Sequence, residues 1–189
     1  MRKVVLDTLM SLDGYFTDSK NQIEWFPPFE EEAFAWSHDV LTRAGQLIFG
    51  RTTYEEFSQF FPTVDAVAAG WDPYIPKQLN VLPKIIFSTT LKEAAWKPST
   101  IVRTDPAQEV AKLKKGTGKD IVVIGSGSIV SALIKAGLVD EFRLRVIPII
   151  LGSGKSLFHA NGEQRPLTLV EAKTFKSGVQ ALYYVPKHQ

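Results

Sequence analysis

Asp120-Ile121-Val122-Val123-Ile124-Gly125-Ser126-Gly127-Ser128-Ile129-Val130 is the stretch that decides the fold. Its first five residues form the near-continuous, β-branched apolar run of a strand covered on both faces, as in parallel sheets. Two glycines and two serines follow at once. A helix is expected from Ile129 to Ala136, with Gly137 just past its end. A glycine-rich turn between a buried strand and a helix lets main chain come close to a phosphate. The helix start adds unpaired N–H groups and the positive end of a dipole. The same residues also suit a plain tight turn.

Two better-known phosphate motifs do not match. Gly-x-Gly-x-x-Gly would need glycine where Val130 stands. Leu151-Gly152-Ser153-Gly154-Lys155-Ser156 imitates a P-loop, but the first glycine of that motif would fall on Ile149. Residues Leu157 to Pro166 after it read as loop, not helix.

Working outward, the chain alternates strands and helices. Lys3 to Met10 reads as a buried strand ending at the turn Ser11-Leu12-Asp13-Gly14. Pro27, Pro28 and the acidic run Glu30-Glu31-Glu32 open a helix to Ala44, with Gly45 as its stop. Gln46 to Phe49 is a short strand, and Arg51 to Phe61 a helix ended by Pro62. Residues Pro62 to Pro83 read as a loop with one short helix. Lys84 to Ser88 and Thr100 to Arg103 are strands. Pro106 to Lys115 is a helix with Asp105 as its N-cap. Glu141 to Ile150 is a strand interrupted by Pro148. Leu167 to Phe175 and Gln180 to Val185, joined at Lys176-Ser177-Gly178, form a terminal hairpin. The order implies an α/β fold: a mainly parallel central sheet with helices on both faces and an antiparallel C-terminal edge hairpin. Residues 1–189 are expected to form a single domain.

Bulk properties exclude several classes. A net charge of +2 gives no general pull toward nucleic acid or anionic membrane. The absence of cysteine removes disulfides, thiolate zinc sites and a cysteine nucleophile. The three histidines, His38, His159 and His188, form no metal-ligand spacing, so no metal is expected. No apolar run approaches a membrane span, and Asp7 breaks the N-terminal one, so the expected location is cytoplasmic.

In open α/β sheets ligands bind beyond the carboxyl ends of the strands. The loops at Ser11, Gly50, Ser88 and Gly125 all leave such ends and should share one rim. At Gly50-Arg51-Thr52-Thr53-Tyr54, Arg51 and the two threonines either hold a phosphate or simply start a helix. Ser88-Thr89-Thr90 either binds phosphate or satisfies a turn. Asp13 orients a ligand, relays a proton or makes an Asx turn.

These segments resemble a known family. S-L-D-G, F-G-R-T-T-Y, F-S-T-T-L, V-I-G-S-G-S, A-G-L-V-D-E and R-V-I-P-I-I-L-G-S-G-K-S-L-F occur in the order found in the reductase domain of riboflavin-biosynthesis deaminase-reductases and its stand-alone relatives. That family has the three-layer dihydrofolate reductase fold. The resemblance implies a reductase that uses NADPH on a small heterocyclic substrate, similar to 5-amino-6-(5-phosphoribosylamino)uracil reductase. It implies Gly50, Arg51, Thr52 and Thr53 near the adenine-side phosphates, with Ser88 and Thr89 beside them. Gly125, Ser126, Gly127, Ser128 and Ile129 would cradle the pyrophosphate, and Asp13 would lie by the nicotinamide as the catalytic residue. Relatives commonly dimerise, so the resemblance also implies a homodimer. Arg51 and the hydroxyls favour NADPH over NADH. The chain departs from relatives at two acids: Ile124 stands where the riboflavin-pathway reductases carry an acidic residue, and Phe34 where dihydrofolate reductases carry a helix carboxylate. Dihydrofolate reduction and non-catalytic nucleotide or pterin binding are the alternatives.

Overall fold

A computed structural model describes residues 1–23, 25–26, 30–158 and 164–187. Pro27 and Pro28, read as the lead-in to the first helix, lie outside the described residues. So do His159, His188 and residues 159–163 of the loop expected over 157–166.

In chain order the elements are β1 (Val4–Ser11), β2 (Tyr15–Thr17), α1 (Glu31–Arg43), β3 (Ala44–Gly50), α2 (Arg51–Phe60), α3 (Tyr74–Val81), β4 (Lys84–Phe87) and β5 (Ser99–Val102). They continue with α4 (Pro106–Lys115), β6 (Asp120–Ile124), α5 (Gly127–Lys135), β7 (Glu141–Ile147), β8 (Lys155–Ser156), β9 (Leu167–Thr174) and β10 (Gln180–Pro186). An eight-stranded sheet runs β5-β4-β3-β6-β1-β7-β10-β9. Every pairing from β5 to β7 is parallel; β10 is antiparallel to β7 and to β9. The expected parallel sheet with its antiparallel edge hairpin is therefore what forms.

Period-2 alternation divides the apolar runs between two cores. Val4, Leu6, Ile48, Ile121 and Val123 pack on Val110 of α4 and on Ile129, Val130 and Leu133 of α5. Val5, Leu47, Phe49 and Val122 pack the other way, on Val40 and Leu41 of α1, Tyr54 of α2 and Ile75 and Leu79 of α3. Consecutive buried β-branched residues thus serve opposite faces, which gives three layers. Edge strand β9 is exposed along nearly its whole length, including Leu167, Leu169 and Val170.

Several boundaries differ from the sequence reading, each for a physical reason. Gly45 does not stop α1. The helix ends at Arg43, and Ala44 is already extended. The β3–β6 register shifts between Ala44 and Gln46, where Gly45 sits, and a Cβ on Gly45 would meet Lys119 Cβ at 2.9 Å. Glycine is needed there for a bulge packed against the neighbouring strand. Helix α5 begins at Gly127, two residues earlier than expected, because the positive φ values of Gly125 and Ser126 complete the turn. Strand β7 ends at Ile147, before Pro148, whose missing N–H ends the ladder. A two-stranded sheet, β2 with β8, escaped the sequence reading because both strands are so short. Among the described residues, no helix is long and apolar enough to cross a membrane.

Candidate functional site

Because β1, β3, β4 and β6 run parallel, their carboxyl ends emerge on one side of the sheet. Two strand-to-helix corners meet there. In the β6–α5 corner, Gly125 (φ 60°) and Ser126 (φ 66°) are both left-handed. No side chain caps α5. The Val130 N–H bonds to the Ser126 carbonyl, which leaves the N–H groups of Gly127, Ser128 and Ile129 without intrahelical acceptors. In the β3–α2 corner, Gly50 lies so close that a Cβ there would stand 1.9 Å from Ser126 Oγ. A Cβ on Gly125 would in turn meet Thr53 Oγ1 at 3.3 Å. The two corners interlock through positions with no side chain.

Below them lies a cavity of about 440 Å³. Of the residues singled out from the sequence, it brings together Thr52, Thr53, Gly125, Ser126, Gly127 and Ser128 in its wall. Phe34, Phe57, Phe61 and Trp71 supply an aromatic wall, and Leu41, Ile75 and Leu79 an aliphatic one.

The other expected site residues stand apart from this lining. Gly50 shapes the corner without reaching the cavity. Arg51, half exposed at the start of α2, pairs with Glu55 at 3.1 Å. The Ile129 side chain is buried in the core, so only its backbone N–H is available to the turn. Ser88 Oγ accepts the N–H of Thr90 (3.2 Å) and of Leu91 (2.9 Å), while Arg103 donates to the Ser88 carbonyl. That hydroxyl serves its own turn, and Thr89 is exposed beside it. Asp13 is outside the cavity lining. Its carboxylate accepts from Ser11 Oγ (2.6 Å) and from the N–H groups of Leu151 (3.2 Å) and Gly152 (2.8 Å). The Ser11 hydrogen bond, backed by those two N–H groups, holds this carboxyl below its ordinary value.

Several polar residues in the cavity wall were missed from sequence, three of them joined by hydrogen bonds. Asp7 on β1, Ser37 on α1 and Arg145 on β7 all line it. Arg145 Nη2 donates to Asp7 Oδ1 at 3.0 Å, and Nη1 to Ser37 Oγ at 2.8 Å. Both charged side chains are buried, at 9% and 5% exposed. Burial pushes the Asp7 carboxyl up, opposed by the charges of Arg145 and Arg143. Phe34, which stands at the place of the helix acid of dihydrofolate reductases, lines the same cavity, and the carboxyl of Asp7 reaches it from β1. The usable signal was charge inside strands expected to be covered on both faces: a buried Asp and a buried Arg must find partners. Lys155 also reaches the lining. It follows Gly154, whose Cβ would stand 2.0 Å from the Thr17 carbonyl, so the sequence that imitates a P-loop actually packs on β2.

The turn can accommodate a diphosphate: main chain bare of side chain at Gly125, three N–H groups without an acceptor among the described residues and a helix dipole converge there. Among the described residues no group of acids and histidines could hold a metal.

Comparison with known proteins shows the family and the fold. The protein YyaP of Bacillus subtilis (strain 168) is 32% identical over 187 residues, covering 97% of this chain and 94% of YyaP. A Shewanella sp. PV-4 protein ascribed to riboflavin biosynthesis superposes with a TM-score of 0.76 at 22% identity, covering 100% of both chains. A diaminohydroxyphosphoribosylaminopyrimidine deaminase/5-amino-6-(5-phosphoribosylamino)uracil reductase from Thermotoga maritima gives 0.66 at 14% identity, over 98% of this chain and 57% of that one. The two superpositions show the shared fold. The RibD C-terminal domain family matches residues 2–181, and the chain belongs to that family.

Proposed function

We propose that the protein is an NADPH-dependent reductase of a small heterocyclic substrate. One observation carries this reading: a single cavity joins the Gly125–Ser128 turn to an aromatic wall and a buried Asp7–Arg145 pair. The turn and the start of α5 would hold the pyrophosphate, with Thr52 and Thr53 beside it. Gly50 lets the β3–α2 corner close on Ser126, and Arg51, Ser88 and Thr89 would serve the adenine-side phosphate. Bound there, the cofactor would supply hydride to a C=N or C=O bond. The chain's own contribution is to hold ligand rings between Phe34, Phe57 and Trp71, exclude water and fix orientation. Non-catalytic nucleotide or pterin binding is the alternative, since Ile124 and Phe34 stand where relatives carry acids; NADPH binding without oxidation across a panel of substrates would favour it.

The test is titration of the purified protein with NADPH and with NADH, followed by tryptophan fluorescence, since Trp71 is in the cavity wall. Saturable quenching, tighter for NADPH, is expected. Absence of binding by either nucleotide would overturn the reading.

A further inference from the structure

The Asp7–Arg145 pair is costly as a purely structural feature. A buried ion pair is often no more stabilising than apolar side chains of the same volume, and only full hydrogen bonding makes up for its desolvation. This pair is not fully bonded. Arg145 Nε is buried with no acceptor. Among the described residues Asp7 Oδ2 has no donor, since the carboxyl's one hydrogen bond goes to Oδ1. Each Arg145 Nη uses one of its two N–H groups on the protein. Both residues nevertheless line the cavity. Asp7 pairs in register with Ile124, the residue leading into the Gly125 turn. Adjacent strands are about 4.8 Å apart, so the pair adjoins the phosphate-binding corner.

We propose that Asp7 and Arg145 are the substrate-reading residues of this cavity. They take a planar heterocycle by an edge on which an N–H donor sits beside a C=O acceptor, as in a cyclic amide. Asp7 accepts the ring N–H and Arg145 donates to the carbonyl, while Phe34, Phe57 and Trp71 supply apolar contact to the ring. The assignment rests on the reading of this cavity as the substrate site. It names residues of β1 and β7, where the sequence reading had looked to α1 and to Asp13.

A pair of probes isolates the edge: 2-pyridone, which presents it, and N-methyl-2-pyridone, which lacks the N–H. Binding is followed by ¹H–¹⁵N chemical-shift titration. The wild type should bind 2-pyridone at least tenfold more tightly than its N-methyl analogue. Two variants are compared. Asp7→Leu/Arg145→Met replaces the pair with apolar groups of similar size, an exchange that buried ion pairs often tolerate, and circular dichroism checks that it folds; Asp7→Asn exchanges the open acceptor for a donor. Each should lose the discrimination while keeping its NADPH affinity. Equal binding of both probes by the wild type overturns the assignment, as does discrimination that survives in either variant. If NADPH binds but neither probe does, this inference fails and the reductase reading stands. If discrimination depends on Asp7 but NADPH does not bind, the inference stands and the reductase reading falls. If neither NADPH nor either probe binds, both are overturned.

Discussion

Gly50 and Ser126 lock two strand-to-helix corners together: a Cβ on Gly50 would stand 1.9 Å from Ser126 Oγ and 3.1 Å from its Cβ. Rotating the hydroxyl away would still leave the Cβ contact tight. Ser126 also sits at φ 66°, unfavourable for a residue with a side chain. Gly50→Ala is expected to destabilise by about 1–3 kcal/mol through overpacking. In a Ser126→Gly background the same change should cost much less, because the atoms it strikes are gone. Urea denaturation of the four proteins checks this. Additivity within about 0.5 kcal/mol would mean that the two residues do not interact.

Gly125→Val tests the turn as a phosphate site. A branched side chain at φ 60° is strained, and its Cβ would press on Thr53. The variant should fold with lowered stability and bind NADPH at least tenfold more weakly. Circular dichroism and fluorescence titration separate the two effects. A folded variant with unchanged affinity would place the pyrophosphate elsewhere.

Asp13 clamps the Leu151–Gly152 loop through its carboxylate. Asp13→Asn should lower Tm and speed proteolysis within residues 151–154. Its carboxyl is held below the ordinary value. The stability it adds is therefore present above the unfolded pKa of about 4 and is lost as pH falls through the lower folded value. The Tm gap between wild type and variant should narrow in that acid range. A gap independent of pH would show that the charge plays no part.

Glu141, at the opposite end of the sheet from the cavity, is buried and meets Lys3 at 2.8 Å and Arg43 at 3.1 Å. Burial opposes its ionisation. Hydrogen bonds from Arg43 and Lys3, reinforced by their charges, outweigh burial and bring the carboxyl down to about 2. Its contribution is complete above the unfolded value and is lost as pH falls from about 4.5 toward 2. Glu141→Gln should cost about 2 kcal/mol at neutral pH, discounted because Lys3 and Arg43 are partly in water. The loss should shrink steadily in acid. Denaturant unfolding of both proteins across that range measures it, with a pH-independent difference as the contrary result.

The sequence by itself determined the layers of this protein. Apolar runs of strand length, Asp105 before Pro106 and glycines at strand ends are local signals, and local backbone preferences obey them. Asp105 accepts the Gln108 N–H at 2.9 Å, as an N-cap should. The Gly125–Ser128 turn was legible for the same reason, because its conformation is settled within a few residues. Tertiary structure alone decided which charged residues share the cavity. Asp7 and Arg145 are 138 positions apart. They meet because β1 lies beside β7 in a register that places Leu9 opposite Arg145 and Asp7 opposite Arg143. No local propensity encodes that pairing; it follows from burying two apolar sheet faces at once. Asp13 shows the converse. Its sequence context suited a ligand or a turn equally; Ser11 two residues away supplies one hydrogen bond to its carboxylate, and the approach of Leu151 and Gly152 from a distant loop supplies the other two.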